Sequence, residues 1–283
     1  MPNPITIEIG VLNVVSHPHS EDIYAELFEK VSQKEANYWG DSNAAIRKIR
    51  KRRDGFLQSS IVLGTEIDLR DPVVDRSDYT TSEASAEDAR LSKTHLYNGR
   101  VFLFLFDPKT HRLYYERKNQ HGKKLSPNLL RKALMRLFDN FNEEAGFIYE
   151  INVSIVPEKD TLDRLLAMPQ IDSVEIHLER PNPSDGIDDE IHEIMEELDE
   201  QGLQKLQTDM KRSKESETIR INEKNMKRAR VAQNNGFVKV SGRNKEGERF
   251  RGATSDYPLI REAEVEKGEL STTEILRVAK EVS

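Results

Sequence analysis

The chain has 283 residues, enough for two domains or one large one, with 36% hydrophobic residues, 33% charged residues and a formal charge of −7. It contains no cysteine, which excludes disulfides, thiolate metal sites and a cysteine nucleophile together and suits a reducing compartment. No apolar run approaches a membrane span, and the opening MPNPITIEIG lacks the basic and then apolar character of an export signal, so a cytoplasmic protein with no membrane partner is expected.

Ile5, Ile7, Ile9 and Val11 alternate on one face of a first strand, Ile5 to Val14. Ser20 then caps a helix whose apolar positions are Ile23, Ala25, Leu27, Phe28 and Val31. AAIRKIRKRR and FLQSSIVLG flank Asp54-Gly55, a dipeptide that supplies the positive φ angles of a tight hairpin turn. Residues 70–92 are rich in Ser and Asp and lack a period, which predicts a loop or a short irregular excursion. VFLFLF (Val101 to Phe106) and RLYYER (Arg112 to Arg117), separated by DPKTH, form a buried hairpin. Ser126 and Pro127 begin a helix with Leu129, Leu130, Ala133, Leu134, Leu137 and Phe138 at i, i+3, i+4 spacing. Gly146 stops it, and Phe147 to Val156 is the next strand.

Beyond Val156 the pattern gives a short helix (Thr161 to Ala167), a strand (Asp172 to Pro181) and a break at PNPSDG. An acidic helix follows from about Ile187 to Gln201, with Ile187, Ile191, Ile194, Met195 and Leu198 inward. After Gly202, the spacing of Leu203, Leu206 and Met210 predicts a second helix. ETIRI reads as a short strand, NEKNMKRARVAQNN as a helix stopped by Gly236, FVKVSGRNKEGERFRG as a hairpin, and STTEILRVAKEV as a last helix capped by Ser271. The fold class is α+β, antiparallel-rich sheets with helices packed on them, in two subdomains at 1–158 and 159–283.

The segment around HPHS, then HRLYYERKNQHGKKLSP, INVSIVPEKDTLDRLLAMPQIDSVEIHLERPNP and NNGFVKVSGRNKEGE, resembles a family of uncharacterised proteins from bacteria and their mobile elements over most of the chain. More distantly, the C-terminal half looks like the phage lambda exclusion protein RexA. The shared features are an apolar strand, a short helix, a second strand, a linker beginning NP, a hairpin with Lys, Glu and Gly at its turn, and a terminal helix. That resemblance implies a homodimer that binds DNA with little sequence preference and acts in phage exclusion. It does not extend to residues 70–92 or to the acidic helix.

Charge is segregated along the chain. From Lys205 to Arg251 there are 14 Lys and Arg against 6 Asp and Glu, whereas Asp185 to Glu200 has nine acids and no base. In the C-terminal hairpin, Gly247 suits the left-handed position of a three-residue loop that pairs Asn244 with Glu248. Continuing that register sets Arg243 opposite Arg249 and Ser241 opposite Arg251, with Lys239 on the same face and Lys245 in the turn. Like charges directly opposite are destabilising unless neutralised, and phosphates would neutralise them. Lys224, Lys227 and Arg228 form a stripe on the preceding helix. A second basic run at Arg47, Lys48, Arg50, Lys51, Arg52 and Arg53 ends at Asp54-Gly55, and as a strand it would put Arg47, Lys51 and Arg53 on one face. The plain alternative for each is a solvated charged face. The acidic helix either is an exposed face or covers the basic region in one state, or in a partner subunit.

Enzyme signatures are weaker. Asp107 with Glu116-Arg117-Lys118 has the order of a nuclease core, but the hairpin would hold the two acids over about 13 Å apart. His17-Pro18-His19 lacks a third ligand nearby, and His177 lies among apolar neighbours on its strand. The expectation is therefore a non-enzymatic, largely sequence-independent DNA-binding protein, duplex favoured, forming a homodimer and needing no cofactor or metal. The alternatives are a metal-dependent nuclease with acids drawn from distant segments, and an assembly component that binds a protein through helix 187–201.

Overall fold

The computed structural model describes residues 4–68, 71–85, 92, 94–146, 149–182 and 189–282. In chain order these form β1 (Ile5–His17), α1 (Glu21–Val31), β2 (Glu35–Trp39), β3 (Ser42–Ile46), β4 (Arg50–Lys51), β5 (Leu57–Thr65), β6 (Pro72–Val74), β7 (Thr81–Ser85), β8 (Tyr97–Asp107) and β9 (Arg112–Lys118). They continue as α2 (Pro127–Ala145), β10 (Glu150–Ile155), α3 (Thr161–Leu166), β11 (Gln170–Glu179), α4 (Asp189–Gln201), β12 (Lys205–Lys211), α5 (Glu223–Ala232), β13 (Gly236–Arg243), β14 (Arg249–Ala253), β15 (Ile260–Val265) and α6 (Thr272–Val282). The class is α+β, and the strand pairings within its sheets are antiparallel. No described helix is long and apolar enough to cross a membrane.

The larger sheet runs β10-β1-β9-β8-β5-β3-β2, with β15 on β1 and β4 on β5. Its two faces are both covered. Leu12, Val14, Phe104 and Phe106 pack under α1 and α2 with Tyr24, Phe28, Leu134 and Phe138. Ile7, Ile9, Val11, Leu105 and Tyr114 pack under α6 with Ile275, Val278 and Ala279. Because successive strand residues point to opposite faces, a sheet covered on both must be apolar at nearly every position, which is why VFLFLF is a run and not an alternation. Ser126 caps α2 by accepting from the Leu129 N–H, and Gly146 closes it in the left-handed conformation, φ 81°.

A smaller sheet, β12-β11-β13-β14, holds the second core. Val174, Ile176, Leu178, Val238 and Val240 face Leu162, Leu165, Ile194, Leu198, Ala229 and Ala232, so α3, α4 and α5 all lie on one side of it. The expected division at 158 is crossed by the last two elements. β15 returns to pair Ile5 with Val265 and Gly10 with Ile260, and α6 packs on the first sheet, so the second body is an insertion and not a C-terminal domain. Its entry and exit strands bridge each other at Pro157 and Pro258, where the Leu259 N–H donates to the Val156 carbonyl at 2.8 Å.

Several local expectations are corrected. Residues 205–211 form strand β12, not a helix: Leu206 and Met210 satisfy a period of two as well as one of 3.6, and the edge of β11 offers a hydrogen-bond ladder from Ser173 to Glu179. ETIRI is not a strand, although the Ile219 N–H reaches the Ile171 carbonyl at 3.1 Å. Within 70–92 lies a two-stranded ribbon, β6-β7. Strand β2 is not among the expected elements: its apolar alternation is limited to Ala36 and Tyr38, which turn to the core, and it is held by pairing with β3. Ser271 precedes α6, but its hydroxyl donates to Glu116 at 2.5 Å. Residues 147–148 of the expected third strand, and Ile187 of the acidic helix, lie outside the described residues.

Glu116 accepts from both Ser271 and the Leu103 N–H, yet burial pushes its carboxyl above the usual glutamate range. A raised acid favours the folded state when protonated, so stability falls as pH rises from the unfolded value of about 4.5 through the folded one. Glu116→Gln is therefore expected to melt above the wild type at about pH 7.5, with the margin closing by about pH 4, in thermal melts across that range.

Candidate nucleic-acid interface

The hairpin β13-β14 has the register its sequence implies. Arg243 pairs with Arg249 and Ser241 with Arg251, the Asn244 N–H donates to the Glu248 carbonyl at 3.0 Å, and Gly247 takes φ 78°. Val238 and Val240 turn inward while Lys239, Ser241 and Arg243 turn to the helix-free face. That face is broader than the hairpin, because β11 and β12 contribute to it. Lys239 stands opposite Glu175, which stands opposite Asp209; Ser241, Ser173 and Lys211 form the next row; Phe237, His177 and Gln207 form the row on the other side.

The face is therefore graded. Lys239 binds Glu175 at 2.7 Å, and this hydrogen bond holds the Glu175 carboxyl below its usual range, with Arg251 adding to the same field. Lys205 pairs with Glu179 at 3.0 Å. Toward the hairpin tip the bases are less closely matched, although the turn itself carries Glu246 and Glu248 and Asp172 lies in the field of Arg243. Lys211, Arg243, Lys245, Arg249 and Arg251 have no ion-pair partner among the described residues, and Arg243 only donates to the Gly247 carbonyl at 2.8 Å. At the opposite end His177 stacks on Phe237 with ring centroids 4.2 Å apart, so His177 lies on the solvent side of its strand and not within the core.

The stripe on α5 has a different fate. Lys224 reaches Glu197 at 2.8 Å, Lys227 reaches Glu193 at 2.7 Å, Arg230 reaches Glu190 at 2.7 Å, and Arg228 forms a two-pronged pair with Glu197. The acidic helix thus neutralises the basic helix of the same chain, and Lys224, Lys227 and Arg228 are engaged within the molecule. Sequence alone supplied both helices and both charges, with their contact as one of two readings of the acidic helix.

The basic run before Asp54-Gly55 lies at the surface. Arg47, Lys48, Arg50, Lys51 and Arg53 are all exposed and have no ion-pair partner among the described residues, while Arg52 is taken by Asp54 at 2.8 Å. Only Arg50 and Lys51 are strand, so the alternation expected of Arg47, Lys51 and Arg53 does not extend along the run.

Neither acid of the nuclease-like order stands free. Asp107 accepts from the Lys109 N–H and Thr110 in the turn, while Glu116 is buried against Leu103 and Ser271. His17 lies 3.3 Å from the Arg180 carbonyl, and His19 packs edge-on to His111. A cleft of about 590 Å³ at the neck of the insertion is lined by Arg112, Arg230 and Arg261 but equally by Glu158, Asp163 and Glu190, so it favours no one sign of ligand.

A comparison with protein-family models matches residues 5–281 to a domain of unknown function, DUF4747. No curated protein matches the chain.

The Glu197 carboxyl is held below its usual range first by the Arg228 hydrogen bonds and then by Lys224. A depressed acid contributes stability above its unfolded value, lost as pH falls through the folded one. Glu197→Gln should therefore lose about 1–2 kcal/mol in urea melts near neutral pH, the gap to wild type closing below about pH 4.5.

Proposed function

We propose that this chain, which belongs to the DUF4747 family, is a non-enzymatic protein that binds nucleic acid largely without sequence preference, through Lys and Arg contacts to phosphate. The observation that carries the reading is the cross-strand pair Arg243 and Arg249 beside Arg251, at a hairpin tip where no acid of the described residues pairs with them. Two guanidinium groups set opposite each other repel, and a sequence gains nothing in stability by keeping them so. An anionic backbone converts that cost into binding free energy. Lys245 flanks the same tip, Lys239 lies two rows back in its pair with Glu175, and Arg47, Lys51 and Arg53 offer a second set of contacts on the larger sheet.

The resemblance to RexA suggested by the sequence of the C-terminal half extends the proposal to duplex DNA, a homodimer and phage exclusion. Lys224, Lys227 and Arg228 contribute less in this reading, because contact with phosphate would cost them their pairs with Glu193 and Glu197.

Fluorescence anisotropy of a labelled duplex at several salt concentrations, without divalent metal, tests the proposal. Affinity should fall linearly in log salt, and replacing Arg243, Arg249 and Arg251 together by Ala should reduce the slope by about 2–3. Lack of binding at the lowest salt, to the duplex and to a single strand of the same length, would remove the reading.

A further inference from the structure

We infer that the helix-free face of the β12-β11-β13-β14 sheet holds a single-stranded segment of polynucleotide, with a base stacked against Phe237 and the backbone running toward Arg251, Arg243 and Arg249. This deepens the phosphate-binding reading above and rests on it.

The argument begins with what a plain phosphate surface does not need. A duplex hides the faces of its bases, so an aromatic ring at its binding surface has nothing to stack on, whereas a single strand offers a π-face at every nucleotide. Phe237 and His177 occupy neighbouring strands on the open face, both half-buried, and already stack at 4.2 Å with only 18° between their planes. Apolar side chains elsewhere on these strands point into the core, so this ring is the exception to the pattern of its own strand.

Beside Phe237 the surface opens into a cleft of about 120 Å³, walled by Asn128 and Arg131 from the first turns of α2, by Asn152 from β10, and by Glu179 and Ser255. The side chains of Asn128, Arg131 and Asn152 make no hydrogen bond or ion pair among the described residues. An aromatic wall facing two free amides and a free guanidinium suits a planar heterocycle, whose edge alternates donors and acceptors and whose face is apolar. Glu179 is the one acid there, and Lys205 neutralises it.

The track away from this cleft fits a polyanion. Along β13 from Phe237 to Arg243 is roughly 20 Å at about 3.3 Å per residue, enough for a few nucleotides of an extended strand. The rows passed in order are Lys239 with Glu175 and Asp209, then Ser241 and Ser173 with Arg251 and Lys211, then Arg243 with Arg249. Over these rows charge becomes more positive with distance from the ring, as far as the turn that carries Lys245, Glu246 and Glu248. Ser173 and Ser241 share a hydroxyl hydrogen bond of 2.6 Å and keep the middle of the track low and polar.

The test uses the full chain and three labelled probes of one length: oligodeoxyuridylate, oligouridylate and a matched duplex, by anisotropy at one moderate salt concentration. At least one of the two single strands should bind more tightly than the duplex, and the tighter of them identifies the sugar. Phe237→Leu should weaken that strand about tenfold while changing duplex affinity less than twofold, and Phe237→Trp should restore it. A strand carrying 2-aminopurine adds a readout that a merely misfolded variant would not mimic, since quenching on binding should appear with wild type and Phe237→Trp and be lost with Phe237→Leu. Salt-dependent binding that favours the duplex and ignores Phe237→Leu would overturn this inference and leave the phosphate reading standing. Binding to none of the three probes would overturn both.

Discussion

The shared edge of β1 is the constraint on which the remaining architecture depends. One side of this strand pairs with β9 along Glu8 to Asn13; the other side is divided, β15 taking Ile5 to Gly10 and β10 taking Leu12 to His17. Two strands far apart in sequence thus meet end to end on one ladder, and everything between them leaves the sheet at a single point. The neck there is short and polar. Glu158 accepts from Arg261 at 2.8 Å and from the Ile260 N–H, and its own N–H donates to the Tyr257 carbonyl at 2.8 Å. A backbone ladder closed by the first and last strands also explains how a C-terminal helix becomes the cover of the N-terminal sheet.

A second set of contacts sets how the inserted body leans on the first. Asn13 donates to Asn235 at 3.0 Å, Ser154 donates to the Asn234 carbonyl, and Asn182 donates to the Tyr24 hydroxyl at 2.6 Å. Immediately after Asn234 and Asn235 comes Gly236, where a β-carbon would lie 2.0 Å from the His177 carbonyl. Only glycine fits this approach, and it delivers Phe237 to the open face beside β10. The cleft at Phe237 is thus a product of docking: one wall comes from each body.

Electrostatics divides the C-terminal region into a closed half and an open half. On the helical side, Glu190, Glu193 and Glu197 consume Arg230, Lys227, Lys224 and Arg228, so the segregation of charge along the chain cancels in space. On the sheet side, the acids Glu175, Glu179 and Asp209 sit near the aromatic end, the rows of Arg251 and Lys211 and of Arg243 and Arg249 are basic, and the turn beyond them carries Glu246 and Glu248 beside Lys245. What remains exposed and positive is small, local and set on rigid strands, which is the geometry a positioning surface for phosphate requires.

Sequence by itself determined the elements whose local rules agree. The Ser126 cap, Pro127 and Gly146 delimited α2, the run VFLFLF with RLYYER named the central hairpin, and Gly247 fixed the register that sets Arg243 against Arg249. In each case the deciding physics, a cap, a turn angle or a side-chain period, lies within a few residues. Tertiary structure decided the rest. Leu206 and Met210 fit two periods, and only the free edge of β11 selects strand; Glu35–Trp39, with just Ala36 and Tyr38 alternating inward, is too short a signal until β3 offers it a ladder. The neutralisation of Lys224, Lys227 and Arg228, the return of β15 to β1, and the meeting of Phe237 with Asn128, Arg131 and Asn152 join residues far apart in the chain. No local pattern encodes such partners, because hydrogen-bond ladders and ion pairs depend on distance in space and not on separation along the chain.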